Sequence, residues 1–198
     1  MAENTENPSE EKSNVEKMQD ESSAVATEKV DKNVLIEKKN VVGKRLMRLL
    51  PFQVFILVAD ADGKTDNKEV AQFREFLSQR EKRCSNPYTK RMFHATVVNY
   101  SGLTNRYLSG QIKKDITVVQ KAMDYIQECV SPRLMEEIVK DLRELATSIA
   151  EASGGFLGVT SPISTEEQAV INTLEEIFEQ AIDLASGEDL IDKKKLDF

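Results

Sequence analysis

The sequence predicts an all-α fold: a helical bundle of about six to eight helices built from two pseudo-repeated helix–acidic loop–helix units. Three observations carry that prediction. From Val34 onward, apolar residues recur with a period near 3.6 almost everywhere. Cap residues, prolines and glycines stand where helix starts and stops require them. No stretch alternates as a half-buried strand would, since Thr96-Val97-Val98 and Val118-Val119 are short and fall inside helical periods.

The elements follow in order. Residues 1–32 are rich in Glu, Asn, Ser, Thr and Lys and hold no aromatic residue. Such a segment buries too little apolar surface to offset its ordering entropy, so it reads as a disordered acidic tail. Residues 33–198 form the helical domain, long enough to bury its own core. Leu46, Leu49 and Leu50 lead to Pro51, which suits a helix start or a kink. Phe52, Phe55, Ile56 and Ala59 continue a core-facing stripe that ends at Asp62-Gly63, where glycine takes the left-handed conformation cheaply.

The next helix opens at Asp66, which with Glu69 has capping-box spacing; Val70, Phe73 and Leu77 share one face. A break at Ser85-Asn86-Pro87 precedes a helix carrying Tyr88, Met92, Phe93 and Val97, expected to stop near Ser101-Gly102. Thr104 then caps a further helix whose stripe is Tyr107, Leu108, Ile112, Ile116, Val119, Met123 and Ile126, with Gly110 as a candidate interruption. Ser131-Pro132 is a strong start signal, and Leu134, Met135, Ile138, Leu142, Leu145 and Ile149 follow as the most regular apolar face of the chain. That helix ends at Ser153-Gly154-Gly155. Ser164 and Glu167 repeat the capping box before a last helix through Val170, Ile171, Leu174, Ile177, Phe178 and Ile182 to Gly187.

Composition excludes several function classes. The net charge of -7 and pI near 5.0 argue against a general nucleic-acid binder, which needs a basic face to displace phosphate counterions. Cys84 and Cys129 stand alone, with no CxxC or Cys/His cluster for structural zinc, and are expected as reduced thiols. The apolar stretch from Leu46 to Ala59 is too short to span a bilayer and is broken by Arg48, Pro51 and Gln53. No secretory signal pattern opens the chain, which places the expected location in the cytoplasm. Nothing points to an enzyme. His94, the one histidine, reads as a surface or half-buried side chain, and Gly154-Gly155-Phe156-Leu157-Gly158 lacks the Lys-Ser/Thr of a phosphate-binding loop.

The acidic loops carry the chemistry. Val58-Ala59-Asp60-Ala61-Asp62-Gly63 and Ile149-Ala150-Glu151-Ala152-Ser153-Gly154 share one pattern, each followed by a loop and a capping box. Gly63 to Asp66 is a step of three, whereas Gly154 to Ser164 is a step of ten. Asp60, Asp62, Asp66 and Glu69 place four carboxylates within ten residues, beside a glycine that permits a sharp reversal. Hard cations such as Ca²⁺ and Mg²⁺ want oxygens in that arrangement. An EF-hand alignment fails, because its first ligand would be Val58. The candidate metal ligands are therefore Asp60, Asp62 and Glu69, then Glu151 and Glu167, for a divalent cation such as Ca²⁺, Mg²⁺, Mn²⁺ or Zn²⁺. The alternative reading makes the same carboxylates helix caps that complement the helix dipole, in a protein–protein scaffold without metal.

From Arg45 to Leu184 the chain resembles the TerB family of tellurite-resistance proteins, in which each of two helical repeats has a D-G turn followed by a capped, acidic helix start. Asp62-Gly63 with Glu69 resembles the first motif, and Gly154 with Glu166-Glu167 the second. Ser153 stands where that family's second repeat usually carries Asp, and the loop after it is longer. The resemblance implies a non-catalytic cytoplasmic protein of the stress response. It further implies divalent metal bound through the acidic loops and work beside protein partners near a membrane. Two further features bear on partners. Lys38, Lys39, Lys44, Arg45 and Arg48 read as a solvated face, paired with the acidic tail, with peripheral contact to an anionic membrane as the alternative. Phe156, Leu157 and Val159 in the 154–162 insertion would suit folding onto the core or a docking lip.

Overall fold

A computed structural model of the chain describes residues 37–153 and 163–187. The tail expected over 1–32 and the 154–162 insertion lie outside the described residues. The chain divides into two compact units, Met1–Val42 and Gly43–Phe198. Of the first, only residues 37–42 are described, the leading turns of a helix.

The described residues form six helices and no strand: α1 (37–59), α2 (Asn67–Arg83), α3 (Pro87–Leu108), α4 (Ile116–Gln127), α5 (Pro132–Ser153) and α6 (Thr165–Gly187). The architecture is the all-α bundle the periodicity predicts. α2 packs against α3 and α5, and α6 against α4 and α5.

The second half of α1 is the centre of the core. Residues 51–59 are buried on every side, not along one stripe, as expected of a helix that is apolar all round. The exception, Gln53, places its amide Nε2 to donate to Lys113 O at 3.1 Å. α1 runs through Pro51 instead of starting there. Proline removes one helical hydrogen bond. Burial of the neighbouring Leu50, Phe52 and Phe55, at about 1.5–3 kcal/mol for each large side chain, outweighs that loss. Phe55 stacks on Phe73 of α2 with ring centroids 4.2 Å apart, and Phe52 meets Tyr107 of α3 edge-on at 6.3 Å. At Gly43, α1 crosses α4 so closely that a Cβ would lie 2.2 Å from the Tyr125 ring.

Ion pairs tie the outer helices together. Arg80 of α2 pairs with Asp141 of α5 at 3.1 Å and also with Glu144. Arg143 of α5 pairs with Glu175 of α6 at 2.6 Å and with Glu179.

One expected boundary is wrong. α3 does not stop at Ser101-Gly102, and Thr104 caps nothing; the helix continues to Leu108. Gly102 is not in the left-handed region, which among the glycines of the described residues Gly63 (φ 82) and Gly110 (φ 73) occupy. Gly110 is the true stop. Gln111 and Ile112 both donate their N–H to Arg106 O around it. The chain then restarts at Asp115, whose carboxylate accepts the Thr117 N–H at 2.9 Å. Tyr107 and Leu108 therefore belong to the last turn of α3, not to the α4 stripe. A glycine inside a helix costs about 1 kcal/mol relative to alanine, and α3 carries that cost at Gly102.

Candidate functional site

Two local structures build the candidate site, one at each acidic loop. After α1, Gly63 donates its N–H to Asp60 O and turns the chain with its positive φ. Asp62 Oδ1 accepts the Lys64 N–H at 2.9 Å, the side chain-to-backbone turn that aspartate favours. Asp66 then caps α2, accepting the N–H groups of Lys68 at 2.7 Å and Glu69 at 2.8 Å. Glu69 Oε2 accepts the Asp66 N–H in return at 2.7 Å, which completes the capping box. At α6 the same exchange occurs: Ser164 Oγ accepts the Glu167 N–H at 3.1 Å, and Glu167 Oε2 accepts the Ser164 N–H at 2.8 Å.

Both box glutamates are buried, Glu69 at 2% exposure and Glu167 at 5%. A capping box needs no burial, so this position is set by packing and not by the cap. Burial pushes the Glu69 carboxyl up from 4.5 to about 7. The hydrogen bond from the Asp66 N–H opposes that rise, and the charges of Asp66, Glu167 and Asp62 add to it. The two helix starts thus lie close enough for the charge on Glu167 to act on Glu69.

The structure divides the five candidate ligands. Asp62 and Glu167 both act through their charge on Glu69. Asp60 is engaged on another side: Tyr107 donates its hydroxyl to Asp60 Oδ2 at 3.0 Å, and the Lys114 ammonium lies 3.2 Å from the same oxygen. Lys114 also donates to Asp60 O. Burial, then the bond to Asp60, pushes the Tyr107 hydroxyl up to about 12, so it stays a donor. Glu151 is exposed in the last turn of α5 and is not among the carboxylates that act most strongly on Glu69. The residue that sequence reasoning under-weighted is Asp66. Its spacing marks it as a cap, yet among the carboxylates its charge weighs most on Glu69. The D-x-x-E spacing was the available signal.

The donor set is all oxygen, which suits a hard cation and not a soft one. Among the described residues no group of three or more His, Cys, Asp or Glu side chains is arranged to cage an ion. A hard cation such as Mg²⁺, which keeps much of its water, needs only one or two protein carboxylates.

The remaining candidates resolve simply. Cys84 and Cys129 are half-buried thiols that are not joined in a disulfide. Burial, then the nearby Asp141 charge, pushes the Cys84 thiol up, the opposite of what a nucleophile needs. His94 is exposed, with Nδ1 2.6 Å from Glu81 Oε1. No described helix is long and apolar enough to cross a membrane. Comparison of the chain with family models, with curated proteins and with solved structures finds no match.

Proposed function

We propose that this chain is a non-catalytic, TerB-like helical protein of the stress-resistance type, acting in the cytoplasm, that binds a divalent cation between the starts of α2 and α6 and relays its presence to protein partners. The reading is supported by two buried carboxylates at separate helix starts, Glu69 and Glu167, and by the charges of Asp66, Glu167 and Asp62, all of which act on Glu69. Like charges brought together out of water are costly unless something offsets them. A bound cation would supply that charge. Glu69 and Glu167 would hold it, with Asp62 and Asp66 at the rim. Because the ligands come from two helix starts, occupancy would lock one against the other. Glu151 and Asp60 fall out of the ligand set in this reading, Asp60 because Tyr107 and Lys114 already hold it.

The test is a calorimetric titration of the chelator-stripped full chain with Mg²⁺, Ca²⁺, Mn²⁺ and Zn²⁺, beside Glu69→Gln and Glu167→Gln. Saturable binding is expected for a hard cation and is lost in both variants. At a hundred times its dissociation constant the cation would stabilise the fold by about 2.7 kcal/mol, read as a rise in melting temperature. If all four cations leave both heat and melting temperature unchanged, the reading fails.

A second reading then stands, favoured by a specific observation. Asp62, Asp66, Glu69 and Glu167 each already accept a backbone N–H. In that case they are caps alone, in a cation-independent interaction scaffold, and their substitution costs stability without changing any response to metal.

A further inference from the structure

Away from the acidic loops, a groove of about 320 Å³ opens between α1 and α3. We propose that this groove binds a phosphate-bearing ligand, with the phosphate held by Arg45, Arg48 and Arg106. The inference is independent of the cation reading, since it shares no residue with it.

Three observations converge. The first is charge. A chain of net charge -7 gathers three arginines around one opening whose lining contains no acidic residue. Three other arginines of the bundle stand in ion pairs: Arg80 with Asp141, Arg143 with Glu175, Arg133 with Glu137. Among the described residues Arg45, Arg48 and Arg106 have no such partner.

The second is Gly102. Neither conformation nor packing accounts for it. Its φ is not in the left-handed region, and a Cβ built on it would meet nothing within 4 Å. A glycine inside a helix weakens it, so an unfilled space there costs stability and yields no internal contact. The space lies on the groove wall. Ala95, Asn99, Gly102 and Arg106 recur at helical spacing and so share the face of α3 that looks into it.

The third is the mixed lining. Leu49 and Leu103 supply an apolar surface beside the guanidinium groups, and Asn99 is fixed by donating to Ala95 O at 2.7 Å.

These features select the ligand class. Guanidinium groups match phosphate oxygens in paired hydrogen bonds, and three of them suit a group with several oxygens and more than one charge better than a single carboxylate. The volume is at the small end of ligand sites, which run from about 300 Å³. It admits a phosphate with a small organic body, whose apolar part would lie on Leu49 and Leu103. A nucleic acid is disfavoured, because it would need a basic stripe and not one basic groove in an acidic protein. The phosphate itself could belong to a soluble ester or to a lipid headgroup, and the two are separated by experiment.

The full chain is titrated with glycerol 3-phosphate and inorganic pyrophosphate, and is sedimented with phosphatidylcholine vesicles made with and without phosphatidylglycerol. The variants are Arg48→Gln, Arg106→Gln and Gly102→Leu, with Lys90→Gln, an exposed basic residue elsewhere on α3, as the control. Saturable binding of a soluble ester is expected. Each arginine change weakens it about tenfold, as loss of a charge-assisted pair should. Gly102→Leu abolishes it while leaving the melting temperature equal or higher, because the new side chain enters open space. Binding only to the phosphatidylglycerol vesicles, with the same sensitivity to the three variants, also supports the site and assigns the phosphate to a lipid. The proposal is overturned if no probe binds, if Gly102→Leu binds as the parent does, or if Lys90→Gln weakens binding as much as Arg106→Gln.

Discussion

The starts of α2 and α6 solve one local problem with different electrostatics. Each helix begins with a capping box, and each buries the glutamate of that box. At α2 the cap is Asp66, a charge three residues after Gly63, with Asp62 adding another beside it. At α6 the cap is Ser164, which makes the same hydrogen bond without a charge. The hydrogen-bond pattern alone would call the two equivalent. The field does not, because Glu69 sits among Asp66, Glu167 and Asp62 and holds its proton up to about pH 7. Caps explain why these residues begin helices. They do not explain why both box glutamates are buried. That difference locates the functional hypothesis at the α2 side of the pair.

The largest expected effect tests this directly through pH. Glu69 has a folded pKa of about 7 against an ordinary value of 4.5. Between those values the folded state holds a proton that the unfolded chain has lost. Its contribution to stability is therefore full at and below about pH 4.5, falls as pH rises to about 7, and stays lost above that. The shift corresponds to on the order of 3 kcal/mol. Urea unfolding of the parent and of Glu69→Gln, in chelator, at pH 5 and pH 8 isolates this group, because the other titrations cancel in the comparison. The variant should gain about 2 kcal/mol on the parent between the two pH values. Parallel pH dependences in the two proteins would remove the basis for treating α2 as the special end.

The next effect compares the caps. Ser164→Ala removes one hydrogen bond and should cost about 1 kcal/mol at either pH. Asp66→Ala removes two, and at pH 5 should cost about 1–2 kcal/mol. At pH 8 the same change also relieves Glu69 of the like charge that weighs most on it, so the net cost should shrink. A cost at Asp66 that is identical at both pH values would mean that its field on Glu69 is screened by water. Thermal unfolding at the two pH values suffices.

How much of this was legible in the chain follows from the range of each signal. Both capping boxes, the Asn86-Pro87 and Ser131-Pro132 starts and the Gly63 turn are contacts within a few residues, and each forms as its spacing predicts. The end of α3 is not legible because Gly102 carries the same letter as Gly110, and the local sequence does not show which of the two takes the positive φ that stops the helix. The full burial of residues 51–59 was read as a stripe, since a run as apolar as Phe52 to Ala59 satisfies any periodicity. Asp60 was chosen as a ligand on local grounds, whereas its partners Tyr107 and Lys114 lie 47 and 54 residues away. The arginine groove was half visible. Arg45 and Arg48 stood in the basic cluster of α1, but Arg106 and Gly102 join them only once α3 is laid alongside.

The smallest expected effect is the most discriminating, because it measures the coupling between the two helix starts and not the cost of either. In a double-mutant cycle of Glu69→Gln and Glu167→Gln, each single change keeps an acceptor for its capping bond and removes one charge. If the carboxylates act on each other, the second change should stabilise less once the first is made, with a coupling of about 0.5–1 kcal/mol at pH 8. At pH 5 Glu69 is already neutral, so the coupling should vanish. Added salt should change it little, since both groups are buried and poorly screened. A saturating divalent cation separates the two functional readings on the same cycle. Bound between the glutamates, it would turn their repulsion into shared attraction and reverse the sign of the coupling. If the residues are caps alone, the repulsive coupling stays as it is with the cation present.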